Sequence, residues 1–248
     1  MQTKIFGIKI FTYDSVESTN TIASQIAEQG AQEGTVVIAR EQTAGKGRLG
    51  RKWISCKDKG IYLSLVLRPK FKTDKLGLIT LMSAVSIVQS IRKVCKLPAL
   101  IKWPNDIFIK GKKVCGILSE ICIKNNQIEF VVLGIGINVN TEIKDLPKTA
   151  CSLKSEAGAQ VNQSDFLKHL LFDLEIYYFM LKKNKFALII EQWKRFSLTL
   201  GSYVKIQTGS RTIEGKAINI AENGALIVLN QHTGVQEYIL SGDLVLIK

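Results

Sequence analysis

REQTAGKGRLGRKW, residues Arg40 to Trp53, sets four cations, Lys46, Arg48, Arg51 and Lys52, among three glycines, Gly45, Gly47 and Gly50, and closes on an indole. Glycine lets a backbone approach a ligand closely, and arginine offers a planar fork of donors that matches phosphate oxygens. The combination predicts a flexible anion clamp. Its glycines satisfy G-x-G-x-x-G, which specifies a dinucleotide fold only when a strand leads in and a helix opens directly behind it. An apolar strand, Thr35 to Glu41, does lead in, but GIYLSLVLR, Gly60 to Arg68, alternates as a second strand. No helix N-terminus is left to receive a pyrophosphate, so the dinucleotide fold is excluded. The P-loop pattern fails too, because Arg51 and Lys52 follow Gly50 in place of Lys and then Ser or Thr. Side chains must neutralise any phosphate bound here, although the same residues also suit a solvated basic turn.

The 248 residues suffice for one large domain, or for a larger one with a small appendage, and a 46% hydrophobic fraction implies a globular core. Neither a run of eighteen apolar residues nor a leader-like cleavage site is found, so a cytoplasmic protein without a membrane partner is expected. The five cysteines are odd in number, form no C-x-x-C pair and sit mostly among apolar residues, as reduced core thiols do. A formal charge of +13 favours an anionic partner: nucleic acid, a nucleotide or an acidic protein. The lysines are scattered, however, and neither a basic recognition helix nor cations interleaved with stacking aromatics is found.

Upstream, Lys4 to Tyr13 is expected as a first strand, followed by a helix from Ser18-Thr19-Asn20 to a stop at Gly30. The three polar residues suit helix capping, and equally a site for a neutral polar ligand beside free helix N–H groups. Downstream, Thr73 or Asp74 is expected to cap a core helix ending before Pro98. Pro104, Asn105 and Asp106 then bend the chain, and Gly111-Lys112 makes a hairpin that aims Lys113 from the start of a strand. A lysine there also serves as a solubilising edge charge. After a turn at Lys124 to Asn126 comes QIEFVVLGIGINVN, whose Gly134 and Gly136 leave room for a ligand or for close strand packing, with Asn138 at its end. A loop of small residues spans Ala150 to Gln163, Ser164 caps one helix, and another runs from Phe186 to Phe196. From Gly201 short strands parted by Gly or Asn turns predict a small all-β unit.

E-S-T-N, QTAGKGRLGRKW, KWPND, KKVCGIL and GIGINVN, in that order, resemble the catalytic domain of the biotin-protein ligases over Lys4 to about Asn140. The terminal strands resemble the SH3-like C-terminal domain of the same enzymes. The resemblance implies an α+β fold: a class II synthetase-like mixed sheet with helices packed on it over residues 1–198, and an SH3-like barrel over 199–248. It implies ATP-dependent conversion of biotin to biotinyl-AMP, with Mg²⁺ on the phosphates, then transfer to a lysine of the biotin carboxyl carrier protein of acetyl-CoA carboxylase. A homodimer paired sheet to sheet is compatible with it. Ser18, Thr19, Asn20, Gln42 and backbone near Gly116 would bind the biotin head, with Lys46, Gly47, Arg48 and Lys113 at its carboxylate. Lys46, Arg48, Arg51, Trp53, Lys113 and Asn138 would take the nucleotide, and Lys113, Arg48 and Asp106 would be catalytic. Asp106 is a candidate to bind the metal or accept a proton, and it also suits a turn-stabilising role. Lys46 stands where the family commonly has arginine, which keeps the charge and loses the bidentate fork.

Lipoate-protein ligase shares fold and chemistry class and is the alternative; a nonenzymatic nucleotide or nucleic-acid binder is a second, supported only by the charge. The repressor-type members carry a winged helix ahead of the first catalytic strand, and here that strand is expected at Lys4. Sequence-specific DNA binding is therefore not expected, and any binding should weaken steeply with salt. A titration at physiological salt of a biotin-operon operator against a scrambled duplex checks this; a preference of about 10³ or more for the operator would overturn it.

Overall fold

The computed structural model describes residues 2–125 and 127–247, so Asn126 of the expected turn lies outside the described residues. The chain runs β1 (Ile10–Val16), α1 (Thr19–Glu28), β2 (Val36–Gln42), β3 (Gly60–Leu67), α2 (Gly77–Val94), β4 (Leu100–Lys102), β5 (Asp106–Ile109), β6 (Lys112–Lys124) and β7 (Gln127–Asn138). It continues through α3 (Leu153–Ala157), α4 (Gln163–Lys182), α5 (Phe186–Arg195), β8 (Tyr203–Thr208), β9 (Arg211–Ile220), β10 (Leu226–Asn230), β11 (Gln236–Ile239) and β12 (Asp243–Ile247). β1 to β7 form a seven-stranded mixed sheet in the order β1-β2-β3-β7-β6-β5-β4, in which β1 lies parallel to β2 and the other pairs are antiparallel.

β3 lies near the middle of this sheet and all eight of its residues are buried, so its alternation distributes side chains between two covered faces. Ile61, Leu63, Leu65 and Leu67 enter the main core beneath α2, α4 and α5. Val66 turns the other way, toward Ala23 and Ala27 of α1. Ser64 shares that second face, as do the residues paired with it in neighbouring strands. α2 is apolar and long enough to cross a membrane, yet it packs within the fold with twelve buried residues. The second sheet, in the order β11-β10-β9-β8-β12, is antiparallel, and its Val204, Ile206, Ile213 and Ala217 join the main core. Backbone hydrogen bonds from Ile101 N to Phe196 O and from Leu198 N to Ile101 O, both 2.8 Å, tie the segment between α5 and β8 to β4.

Several boundaries differ from the sequence reading, each for a local reason. The first strand begins at Ile10, the amides of Lys4, Ile5 and Phe6 donating instead to the Glu175 carboxylate at 2.6, 2.6 and 2.8 Å, and it continues through Asp14 and Ser15 because its pairing with β2 runs on to Val16 and Gln42. Thr73 and Asp74 form a 3-10 turn instead of capping α2, which starts without a side-chain cap. Lys110 and Gly111, both at positive φ, make the hairpin turn, so Lys112 already belongs to β6. The loop expected at Ala150 to Gln163 contains α3, started by a capping box between Ser152 and Ser155. Asn162, not Ser164, caps α4 by accepting from Asp165 N. The five cysteines are free. Burial raises the thiol pKa of Cys95 to about 11 and of Cys151 to about 12, which keeps them protonated at neutral pH.

Glu175 is 5% exposed, and its carboxylate alone holds three amides of the N-terminal segment. Glu175→Ala should therefore cost about 2–4 kcal/mol, the scale of leaving such donors unsatisfied, and Glu175→Gln less. Urea unfolding measures both, and a loss for Glu175→Ala below about 0.5 kcal/mol would show that the segment adds nothing to stability.

Candidate active site

On the α1 face of the sheet, β-pairing lines up one row of directly opposed residues: Tyr62, Gly136, Gly116, Asp106 and Lys102. The adjacent row holds Ser64, Gly134 and Leu118. Three of these positions lack a side chain, and neighbouring groups occupy the space. A Cβ on Gly136 would lie 2.5 Å from the indole of Trp53, and one on Gly134 would lie 2.2 Å from Asn20 Oδ1. Such separations are far inside contact distance, so Trp53 and Asn20 require glycine beneath them.

α1 begins over this floor. Ser18 occupies the N-cap position but its side chain makes no cap bond, and the buried start of the helix is organised by side chains from elsewhere. Gln42 Oε1 accepts from Thr19 N at 2.9 Å and from Thr19 Oγ1 at 3.1 Å, while Gln42 Nε2 donates to Ser55 Oγ at 2.9 Å. Asn20 Nδ2 donates to Glu120 Oε2 at 2.5 Å, and Ser64 Oγ lies 2.6 Å from Asn20 Oδ1 and 2.8 Å from Thr19 Oγ1. The result is a rigid, hydrogen-bonded polar end to the site.

The glycine-rich stretch folds back as a narrow hairpin: Trp53 N donates to Gly45 O at 2.9 Å and Gly47 N to Arg51 O at 2.7 Å. Leu49 takes a left-handed conformation at φ 54° and Gly50 follows at φ 73°, which reverses the chain at its tip. The hairpin carries its cations over the floor. Arg48 donates to Asn105 Oδ1 at 3.1 Å and to Gly242 O at 3.3 Å, and burial lowers its pKa without discharging it. Arg51 forms an ion pair with Asp243, Lys46 donates to Thr21 Oγ1 at 3.0 Å, and Lys113 Nζ sits 2.6 Å from Asp106 Oδ1 and 5.6 Å from the Trp53 ring centroid. The Lys113–Asp106 contact is an ion pair by distance, although its angles are not those of a hydrogen bond.

Ser18, Thr19, Asn20, Gln42, Lys46, Gly47, Arg48, Arg51, Trp53, Asp106, Lys113 and Gly116 line one cavity of about 360 Å³. Asn138 is not among its walls. It is 3% exposed, donates to Cys151 O at 3.0 Å, and lines a smaller pocket of about 180 Å³ behind Trp53, to which Lys113 also contributes. Sequence reasoning missed Ser55, Ser64 and Lys102, and also Gly242 and Asp243, which the second sheet brings to the wall. A lone serine in apolar β3 was the available signal for Ser64.

A profile of the biotin/lipoate A/B protein ligase family matches residues 12–138, and one of the biotin protein ligase C terminal domain matches 199–246. The bifunctional ligase/repressor BirA of Bacillus subtilis is 36% identical over 98% of this chain and 76% of its own length. The chain belongs to the biotin/lipoate A/B protein ligase family. The biotin--[acetyl-CoA-carboxylase] ligase of Mycobacterium tuberculosis is 31% identical to this ligase over 84% of the chain and 79% of that protein. The structure of the Aquifex aeolicus biotin protein ligase in complex with biotin and ATP superposes with a TM-score of 0.83 at 29% identity, covering 97% of this chain and 99% of that one.

Gly136→Ala should expel the Trp53 indole from its seat while leaving β7 intact, since overpacking of about 1–3 kcal/mol is avoided by moving one side chain on a loop. Trp103 and Trp193 are buried at 2% and 0%, so Trp53 reports the change. Tryptophan emission should shift to the red with far-ultraviolet circular dichroism unchanged; an unshifted spectrum would contradict the seating of Trp53 on Gly136.

Proposed function

We propose that this ligase activates biotin with ATP to biotinyl-AMP and transfers it to a lysine of the biotin carboxyl carrier protein of acetyl-CoA carboxylase. The observation that carries this reading is a single cavity with a neutral, hydrogen-bonded end at Ser18 to Asn20 and six cations, Lys46, Arg48, Arg51, Lys52, Lys102 and Lys113, against two carboxylates, Asp106 and Asp243. A neutral polar head fits the first end, and a carboxylate brought against a polyphosphate fits the second. The names of the relatives, and the biotin and ATP held by the Aquifex protein, agree with it.

In this reading Ser18 and Gln42 face the ureido head near Gly116, and Thr19 and Asn20 keep the helix start in place through Gln42, Ser64 and Glu120. Lys46, Gly47, Arg48 and Lys113 surround the carboxylate. Trp53 covers the adenine side, with Asn138 behind it and Arg51 beside the phosphates. Bringing a carboxylate against a polyphosphate joins two anions, and Lys113, shared by the main cavity and the smaller pocket, screens their repulsion and the charge that develops on phosphoryl oxygens. The mixed anhydride is then open to a carrier lysine amine, with AMP leaving, and no enzyme nucleophile takes part. Among the described residues no three His, Cys, Asp or Glu side chains gather as a metal site. Mg²⁺ would enter on the ATP phosphates and supply charge neutralisation there, with Asp106 the carboxylate placed nearest Lys113.

ATP–pyrophosphate exchange run with biotin and with lipoate tests the assignment: exchange should depend on biotin, and exchange with lipoate alone would overturn it. Lys113→Ala should lower the exchange rate by about 10²–10³ while thermal unfolding shows an intact fold. Near-normal exchange would leave Lys113 as an edge charge.

A further inference from the structure

Most cations of the cavity already have partners: Lys113 has Asp106, Arg51 has Asp243, Arg48 has Asn105 and Gly242, and Lys46 has Thr21. Lys52 is exposed. Lys102 differs from all of them. It is half-buried, it lines the cavity, and among the described residues its ammonium has neither an ion pair nor a hydrogen bond, only the Phe108 ring 5.3 Å away. Withdrawing an ammonium from water without a counter-charge is costly unless an anion arrives to meet it. Burial accordingly lowers its pKa from the ordinary lysine value, with Asp106 and Asp243 opposing the shift.

The position of Lys102 in the sheet says which anion this is. It ends the row Gly136, Gly116, Asp106, Lys102, two inter-strand steps or about 10 Å from Gly116 and three or about 14 Å from Gly136, the two glycines beneath Trp53. The polar end at Thr19 and Asn20 sits over Gly134 on β7, and Asn138 opens the separate pocket behind Trp53. The far end, whose wall Lys102 shares with Arg51 of the hairpin and Asp243 of the second sheet, belongs to neither. Displacement at the α-phosphorus is in line: the carboxylate oxygen forms a bond to phosphorus, the bridging P–O bond to the β-phosphate breaks, and its electron pair leaves with pyrophosphate on the opposite side. The leaving group therefore departs away from the polar end.

Resting on the proposed function, we infer that Lys102 binds the β- and γ-phosphates of ATP and the pyrophosphate released from it, and contributes nothing to holding biotin or the adenylate. Purified Lys102→Ala should raise the KM for pyrophosphate in the exchange reaction, and that for ATP, by about 10–100-fold, the scale of one charge-assisted contact. Biotin binding, and transfer from supplied biotinyl-AMP to carrier protein, should stay within about twofold of the unaltered protein, because neither ligand carries those phosphates. Lys102→Arg should recover most of the loss. An unchanged pyrophosphate KM would overturn the inference, and so would an equal fall in adenylation and in transfer from biotinyl-AMP. Were the unaltered protein to show no biotin-dependent exchange at all, the proposed function itself would fail, whereas normal exchange by Lys102→Ala beside active unaltered protein would remove only Lys102.

Discussion

Three absent side chains hold the site together. Gly134, Gly136 and Gly116 lie side by side on β7 and β6, and the hollow they leave is filled by Asn20 from the first helix and Trp53 from the glycine-rich hairpin. A methyl group at Gly136 or Gly134 would collide with these residues at 2.5 or 2.2 Å, so the sheet, the helix and the hairpin meet only because glycine lies beneath. Close packing makes this stringent: an interior near crystal density has no slack to absorb an added carbon.

Electrostatics then divides the cavity. At one end the polar side chains are satisfied by one another, Gln42 with Thr19 and Ser55, Asn20 with Ser64 and Glu120, which favours a neutral ligand whose groups fit a fixed pattern. At the other, six cations face two carboxylates, an excess of positive charge that anions entering the cavity would offset. Asp106 and Asp243 keep Lys113 and Arg51 in place meanwhile. The second sheet shares the hydrophobic core of the first and supplies Gly242 and Asp243 to the hairpin cations, so it forms part of the cavity wall.

Much of this was legible because it depends on local rules. The alternation of Gly60 to Arg68 excluded a dinucleotide fold, and β3 is indeed a strand with two covered faces. The apolar run after Gly77 announced the core helix. Boundaries failed where a distant residue intervened. Glu175, some 170 positions away, captures the amides of Lys4 to Phe6 and delays the first strand, and no local propensity encodes that contact.

The same division holds for the site. The sequence by itself determined the chemical kinds available, glycine with arginine and lysine on one stretch and hydroxyl with amide on another, because these follow from the groups each residue carries. Only the tertiary structure decided which groups share a space. Strand register, a long-range quantity, set Lys102 on the same row as Gly116 and Gly136, turned Ser64 toward Asn20, and left Asn138 behind Trp53 with its amide committed to Cys151. A shift of one residue in any of those pairings would send each of these side chains to the opposite face, and that is why pairing, and not composition, settles which residues meet.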